Sequence, residues 1–258
     1  VWEGNQVWLI LGAGAIFAAW PSIYAVSFSC FYLAMLLALS GLILRPAGFK
    51  YRSKIKGQKW RNTWDFILMF SGLAPSLVFG VAIGNVLLGI PFNFDDSLRI
   101  FYSGNFFELF KPFPLLCGLL SVTMFLMHGA LFLAVKTEKP LQERAIKIAK
   151  LTSILIIFLF SLGGWFVAYK IPGYIITSTV DFFQPSNPLY KNAASHIGDW
   201  MNNYHAFPKL LSFPLLALIS AFLVFLVGKK VPKLAFILSG ITLTSIIITV
   251  GISMFPFI

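Results

Sequence analysis

From Val7 to Leu44 the chain carries no charged side chain, an unbroken run of 38 positions. As α-helix such a run would reach about 57 Å, against a bilayer hydrocarbon core of about 30 Å. One crossing is too short to hold it. Two crossings joined by a tight turn fit, and Trp20-Pro21-Ser22 supplies the turn, because Pro ends helices and Trp favours the membrane interface. We read Asn5–Trp20 as a first, short span and Ser22–Leu44 as a second.

Five further spans follow from the same logic. Trp64–Leu88 holds one charge, Asp65, at its start; Pro112–Val135, Leu151–Tyr169, Leu210–Gly228 and Leu234–Met254 hold none. A Lys or Asp at the centre of such a helix would cost about 2.5–3.5 kcal/mol on insertion scales, so these gaps in charge are informative. The predicted fold is all-α, a polytopic transmembrane helical bundle with seven spans, forming a single transmembrane domain over 1–258. The chain opens at Val1 without a signal peptide pattern and stops abruptly after Met254-Phe255-Pro256-Phe257-Ile258, so it is expected to be part of a longer protein.

The formal net charge of +11 would suit nucleic acid, but the charges are segregated between apolar runs. Arg45–Thr63 holds seven positives and no acid, Lys136–Lys150 holds five against Glu138 and Glu143, and Lys229, Lys230 and Lys233 fill a third loop. These are alternate loops and carry 15 of the 20 positives. By the positive-inside rule they face the cytoplasm, beside anionic lipid, and no nucleic acid is needed to explain them. Gly89–Lys111 and Lys170–Lys209 then face outward. In the second of these, Asn187 as N-cap with Pro188 after it, then Leu189, Ala193, Ile197, Trp200 and Met201, predicts a surface helix.

The inventory of ligating side chains is poor. His196 and His205 lie in an outer loop, and His128 alone lies inside a span. We read His128 as a hydrogen-bonded packing residue rather than a haem or metal ligand, since a bis-His haem needs facing imidazoles on two helices. Met35, Met69, Met124, Met127 and Met254 read as apolar filler, and Cys30 and Cys117 as small hydrophobes. No histidine–cysteine cluster has zinc spacing. Glu3 stands before the first span on the cytoplasmic side, flanked by Trp2, Gly4 and Asn5. It has two readings: a carboxylate complementing a helix N-terminus, or an acid at a proton entrance. Arg45, at the inner end of the second span, is placed to approach Glu3 and otherwise reads as a snorkelling anchor.

Several motifs go further. Trp2-Glu3-Gly4-Asn5-Gln6-Val7-Trp8-Leu9 and Phe17-Ala18-Ala19-Trp20-Pro21 resemble subunit II of the cytochrome bd-type quinol oxidases. So do Arg45-Pro46-x-Gly48-Phe49-x-Tyr51-Arg52-Ser53-Lys54, Arg61-Asn62-x-Trp64-Asp65, Tyr102-x-Gly104-Asn105-Phe106-Phe107 and the terminal Met254-Phe255-Pro256-Phe257. The resemblance extends over the whole chain. It implies two four-helix bundles and a peripheral helix, nine spans in all, of which this chain lacks the first and the last. It also implies a multi-pass protein of the bacterial cytoplasmic membrane, partnered by a haem-bearing subunit I that holds haems b and d, oxidises quinol and reduces O2 to water. A small single-span accessory subunit and, in some members, a structural quinone belong to the same expectation, and no redox catalysis is expected from this chain alone. The family's proton-path carboxylate lies in a Trp-Asp-Gly-Asn motif, here Trp2-Glu3-Gly4-Asn5. That favours the proton role for Glu3, with Trp2, Asn5 and Arg45 beside it. The competing readings are a secondary transporter or channel, with Pro75 as a helix break, and a scaffold with no proton role.

Overall fold

The structure is a computed structural model that describes residues 2–95, 97, 99–178 and 192–257, with the side chains of Trp2, Glu3, Asn5, Gln6 and Phe94 outside the description. It is a polytopic helical membrane protein, as the charge-free runs require. Nine α-helices occur among the described residues: α1 Trp2–Ala19, α2 Pro21–Cys30, α3 Tyr32–Tyr51, α4 Gln58–Leu88, α5 Pro112–Lys136, α6 Leu141–Tyr169, α7 Asn202–Ala206, α8 Ser212–Val227 and α9 Pro232–Met254. Two short antiparallel hairpins sit in the connections, β1 Phe92–Phe94 with β2 Ile100–Tyr102, and β3 Pro172–Ile176 with β4 Ala193–Ile197.

Two expectations are corrected. Among the described residues six helices, not seven, are long and apolar enough to cross a bilayer. The apolar part of α1 is only Val7–Ala19, about 20 Å of helix. The stretch read as one span, Ser22–Leu44, is divided at Phe31, and its second half runs on through Arg45 and Pro46 to Tyr51. Arg45 is therefore a helical residue and not the first residue of a loop. The predicted surface helix also fails where it is described. Ala193 and Ile197 lie on β4, paired with Ile176 and Pro172, and Asn187, Pro188, Leu189 and Lys191 lie outside the described residues. Gly198, at φ +92°, then turns the chain into a 3-10 turn at Asp199–Met201.

The chain packs as two compact units. The first comprises residues 1–78 and 89–110. Its α3 and α4 meet in antiparallel register through four pairs. A Cβ on Gly41 would lie 3.0 Å from the Pro75 ring, Arg45 reaches the Ser71 carbonyl, a Cβ on Gly48 would lie 2.5 Å from Leu68, and Arg52 pairs with Asp65. Small residues at 41 and 48, one heptad apart, let the two backbones approach.

The second unit comprises residues 79–88 and 111–258. Helices α5, α6, α8 and α9 bury Met127, Leu131, Ile156, Ala221, Val224 and Ala235 in one core. The end of α4 packs on α5 at Gly80 and Gly84, where a Cβ would strike the Cys117 carbonyl and Pro114. Buried Trp200 packs with Leu87, Phe113 and Ile171, its indole N–H donating to the Leu87 carbonyl at 3.1 Å.

Candidate functional site

The C-terminal half of α3 and the N-terminal half of α4 are joined by two arginine contacts. Pro75 has no N–H, so the Ser71 carbonyl one turn earlier loses its helical donor. In a membrane such a group finds no water and must be satisfied within the protein. Arg45 Nη2 donates to that carbonyl at 2.8 Å. The guanidinium lies over Gly72, where a Cβ would be 3.7 Å from Nη2. Ser71 is fully buried, and its hydroxyl donates to the Leu68 carbonyl at 2.8 Å. Arg45 thus has a defined structural partner, and the rest of its guanidinium is left for other acceptors.

Two turns further along α3, Arg52 grips Asp65 with both forks, Nε on Oδ1 and Nη2 on Oδ2, the latter at 2.9 Å. The Asp65 carboxylate, first through these hydrogen bonds and then through its charge, holds the Arg52 guanidinium above its ordinary value. Both side chains are about half exposed, so the pair fixes geometry more than it stabilises. Around it sit Trp60, whose indole donates to the Tyr51 carbonyl at 2.9 Å, and Trp64, stacked on Tyr51. That aromatic group, with Lys54 over the Tyr51 ring, marks an interface level.

Glu3 and its neighbours Trp2 and Asn5 occupy the first turns of α1. Their side chains fall outside the description, so the expected approach of Arg45 to Glu3 is not placed. His128 is placed: Nδ1 lies 2.8 Å from Ser239 Oγ, and Ser239 spends its only proton on the Phe236 carbonyl at 2.7 Å. The imidazole is therefore the donor, carrying its proton on Nδ1, and it stacks on the Phe236 ring at 4.6 Å. These contacts are those of a hydrogen-bonded packing residue joining α5 to α9. Among the described residues no group of three or more His, Cys, Asp or Glu is arranged to hold a metal.

Sequence reasoning missed two cavities. One, of about 300 Å³, lies in the second unit and is lined by Phe113, Cys117, Phe160, Tyr204 and Ile246 among others, with Gly163 and Gly164 on its wall. It is almost entirely apolar. Tyr204 gives its proton to the Thr249 carbonyl at 2.8 Å, and burial pushes its phenol up. The other is polar and lies in the first unit. The local signal for the first is Gly163-Gly164, which removes two side chains from the α6 surface.

A family profile described as cytochrome bd terminal oxidase subunit II matches residues 1–258, the whole chain. The chain belongs to that family. Similar proteins agree. A probable cytochrome oxidase subunit 2 of Haemophilus influenzae is 47% identical over 258 residues, covering 100% of this chain and 68% of the relative. The cytochrome bd-I ubiquinol oxidase subunit 2 of Escherichia coli K12 is 45% identical with the same coverage. In fold, the chain is similar to a chain of the bd oxidase from Geobacillus thermodenitrificans, with a TM-score of 0.56 over 94% of this chain and 71% of that one, at 12% identity. As a member of the subunit II family the chain is a component of a terminal oxidase, and the transporter reading loses its ground. Arg45, Arg52, Trp64 and Asp65 all lie in stretches that carry the resemblance.

Proposed function

We propose that this chain is the haem-free subunit of a quinol:oxygen oxidoreductase in a bacterial cytoplasmic membrane, and that it helps conduct cytoplasmic protons to the oxygen site of a haem-bearing subunit I. Electrons from quinol and protons from the cytoplasm meet on O2 in the partner. The observation that carries the proposal is Glu3, a titratable group in the first turn of α1, ahead of an apolar helix and within the family's proton-path motif. An acid at the mouth of an apolar helix is also suited to a helix end, so the motif is what turns the reading toward a proton entrance. In this reading Glu3 takes the proton, Trp2 and Asn5 border its entrance, and the remaining guanidinium N–H groups of Arg45 hold the relay on the α3 side. Residues 1–258 act as one membrane domain, with the basic loops inside.

The orientation has its own test. A cysteine at Lys56 should be labelled only from the cytoplasm and one at Asn192 only from outside, because six other positives surround Lys56 in sequence. Labelling of both from one side contradicts the arrangement.

The apolar cavity favours a second element of the proposal, the structural quinone. Phe113 and Phe160 line it, while the Tyr204 hydroxyl donates to the Thr249 carbonyl. Gly164 lines the cavity and a Cβ built there meets no heavy atom within 4 Å, so Gly164→Leu is the substitution chosen to fill it. Quinone extracted per purified complex should fall several-fold, on the order of what one filled pocket costs, with haem content unchanged. Unchanged quinone content would place the molecule elsewhere.

A further inference from the structure

The second cavity, of about 440 Å³, has no part in that scheme. It forms where the α-helical ladder breaks at Phe31, whose φ of −101° and ψ of 20° separate α2 from α3. Its walls are Ser29, Cys30, Tyr32 and Leu33 from the break, and Tyr102 and Glu108 with their neighbours from the connection after α4. Most of the lining is polar.

A broken helix presents two opposite poles at one place. The end of α2 offers carbonyls that the ladder no longer pairs, and the start of α3 offers amides in the same condition. Phe31 bridges only part of the gap, donating to the Ser27 carbonyl at 3.0 Å and accepting from Met35 at 2.8 Å. Glu108 strengthens the negative pole. Its carboxylate makes no ion pair among the described residues. The Ser29 hydroxyl adds a donor. Tyr102, also on the wall, has its hydroxyl 3.4 Å from the Asn105 carbonyl. Burial raises the Tyr102 phenol, and Cys30 and Glu108 nearby raise it further. A ligand matching both poles carries an ammonium and a phosphate a few bonds apart.

The surroundings say where such a ligand comes from. Tyr32 and Leu33 on the cavity wall are exposed, and so are Phe101 and Phe107, the chain neighbours of Tyr102 and Glu108, Phe107 being 77% exposed. Apolar surface next to a polar cup suits a molecule with acyl chains and a charged head. We propose that this cavity binds the phosphoethanolamine headgroup of an outer-leaflet phospholipid, its ammonium on Glu108 and the α2 carbonyls, its phosphate on the α3 amides and Ser29. The leaflet follows from the orientation proposed above, and the chemistry follows from the cavity.

The test uses the complete oxidase, stripped of lipid, equilibrated with vesicles of equal parts phosphatidylethanolamine, phosphatidylglycerol and phosphatidylcholine, and weighed intact by native mass spectrometry. Wild type should retain phosphatidylethanolamine over the other two, since glycerol lacks the cation and the trimethylated head lacks N–H donors. Glu108→Gln should lower that preference about tenfold, the loss of one charged hydrogen bond. Free phosphoethanolamine at the same headgroup concentration should displace little. Equal retention of the three lipids, a Glu108→Gln complex of normal haem content that matches wild type, or full displacement by the free headgroup would each overturn the proposal. The lipid comparison needs no variant, so it decides even if Glu108→Gln fails to assemble. Lipid retention is read without turnover, so a failed proton role for Glu3 leaves this result standing, and the labelling experiment separately checks the leaflet.

Discussion

Arg45→Met should destabilise the assembled oxidase by about 1–3 kcal/mol, the penalty for a buried carbonyl left without its donor. The carbonyl is that of Ser71, orphaned by Pro75 and held by Arg45 Nη2. The decisive comparison is the double variant. Pro75→Ala restores an N–H at the position from which a helix would satisfy Ser71, so in the Arg45→Met background it should recover about half of the loss or more. In the wild-type background the same change adds little, because the carbonyl is already served and the ring contact with Gly41 is given up. Heat-induced loss of the haem spectrum from the purified complex, followed for all four proteins, gives the cycle. Equal losses in the single and the double variant would show that Arg45 acts on something other than the Ser71 carbonyl.

The crossing helices are readable in sequence because a folded chain rarely leaves about 20 consecutive residues without charge except to cross a bilayer. Pro112–Val135 ends one residue short of α5. Boundaries slip where charge misleads. Arg45 and Lys150 look like loop residues in sequence, yet both are helical. Long basic side chains find polar or aromatic partners while the backbone stays in register. Arg45 turns to Ser71, and Lys150 lies 5.2 Å from the centre of the Phe225 ring. Both partners are distant in sequence. The same holds for β4, whose apolar spacing fits a helix until β3 offers it an edge, and for Phe31, where no Gly or Pro announces the break. The zipper of α3 on α4 leaves a faint trace, Gly41, Arg45, Gly48 and Arg52 along one helix face. Reading it needs the register of the partner. Of the site, Glu3, Trp2 and Asn5 are legible through the motif alone. Composition and periodicity leave Glu3 open between a helix-end charge and a proton carrier.

Glu3→Gln decides between those two roles. The substitution keeps shape and removes the proton. As a helix-end charge, Glu3 is worth about 0.3–1 kcal/mol, so assembly and haem content should stay near wild type either way. As a relay, its loss should take turnover down on the order of a hundredfold, the lower end of what a positioned acid–base group contributes. The measurement is oxygen consumption per assembled haem in the complete complex, at saturating quinol and across a range of pH. With a proton role, Glu3→Gln slows oxygen consumption and charge separation together at every pH. Wild-type turnover with glutamine at position 3 would contradict that role and return Glu3 to the helix end.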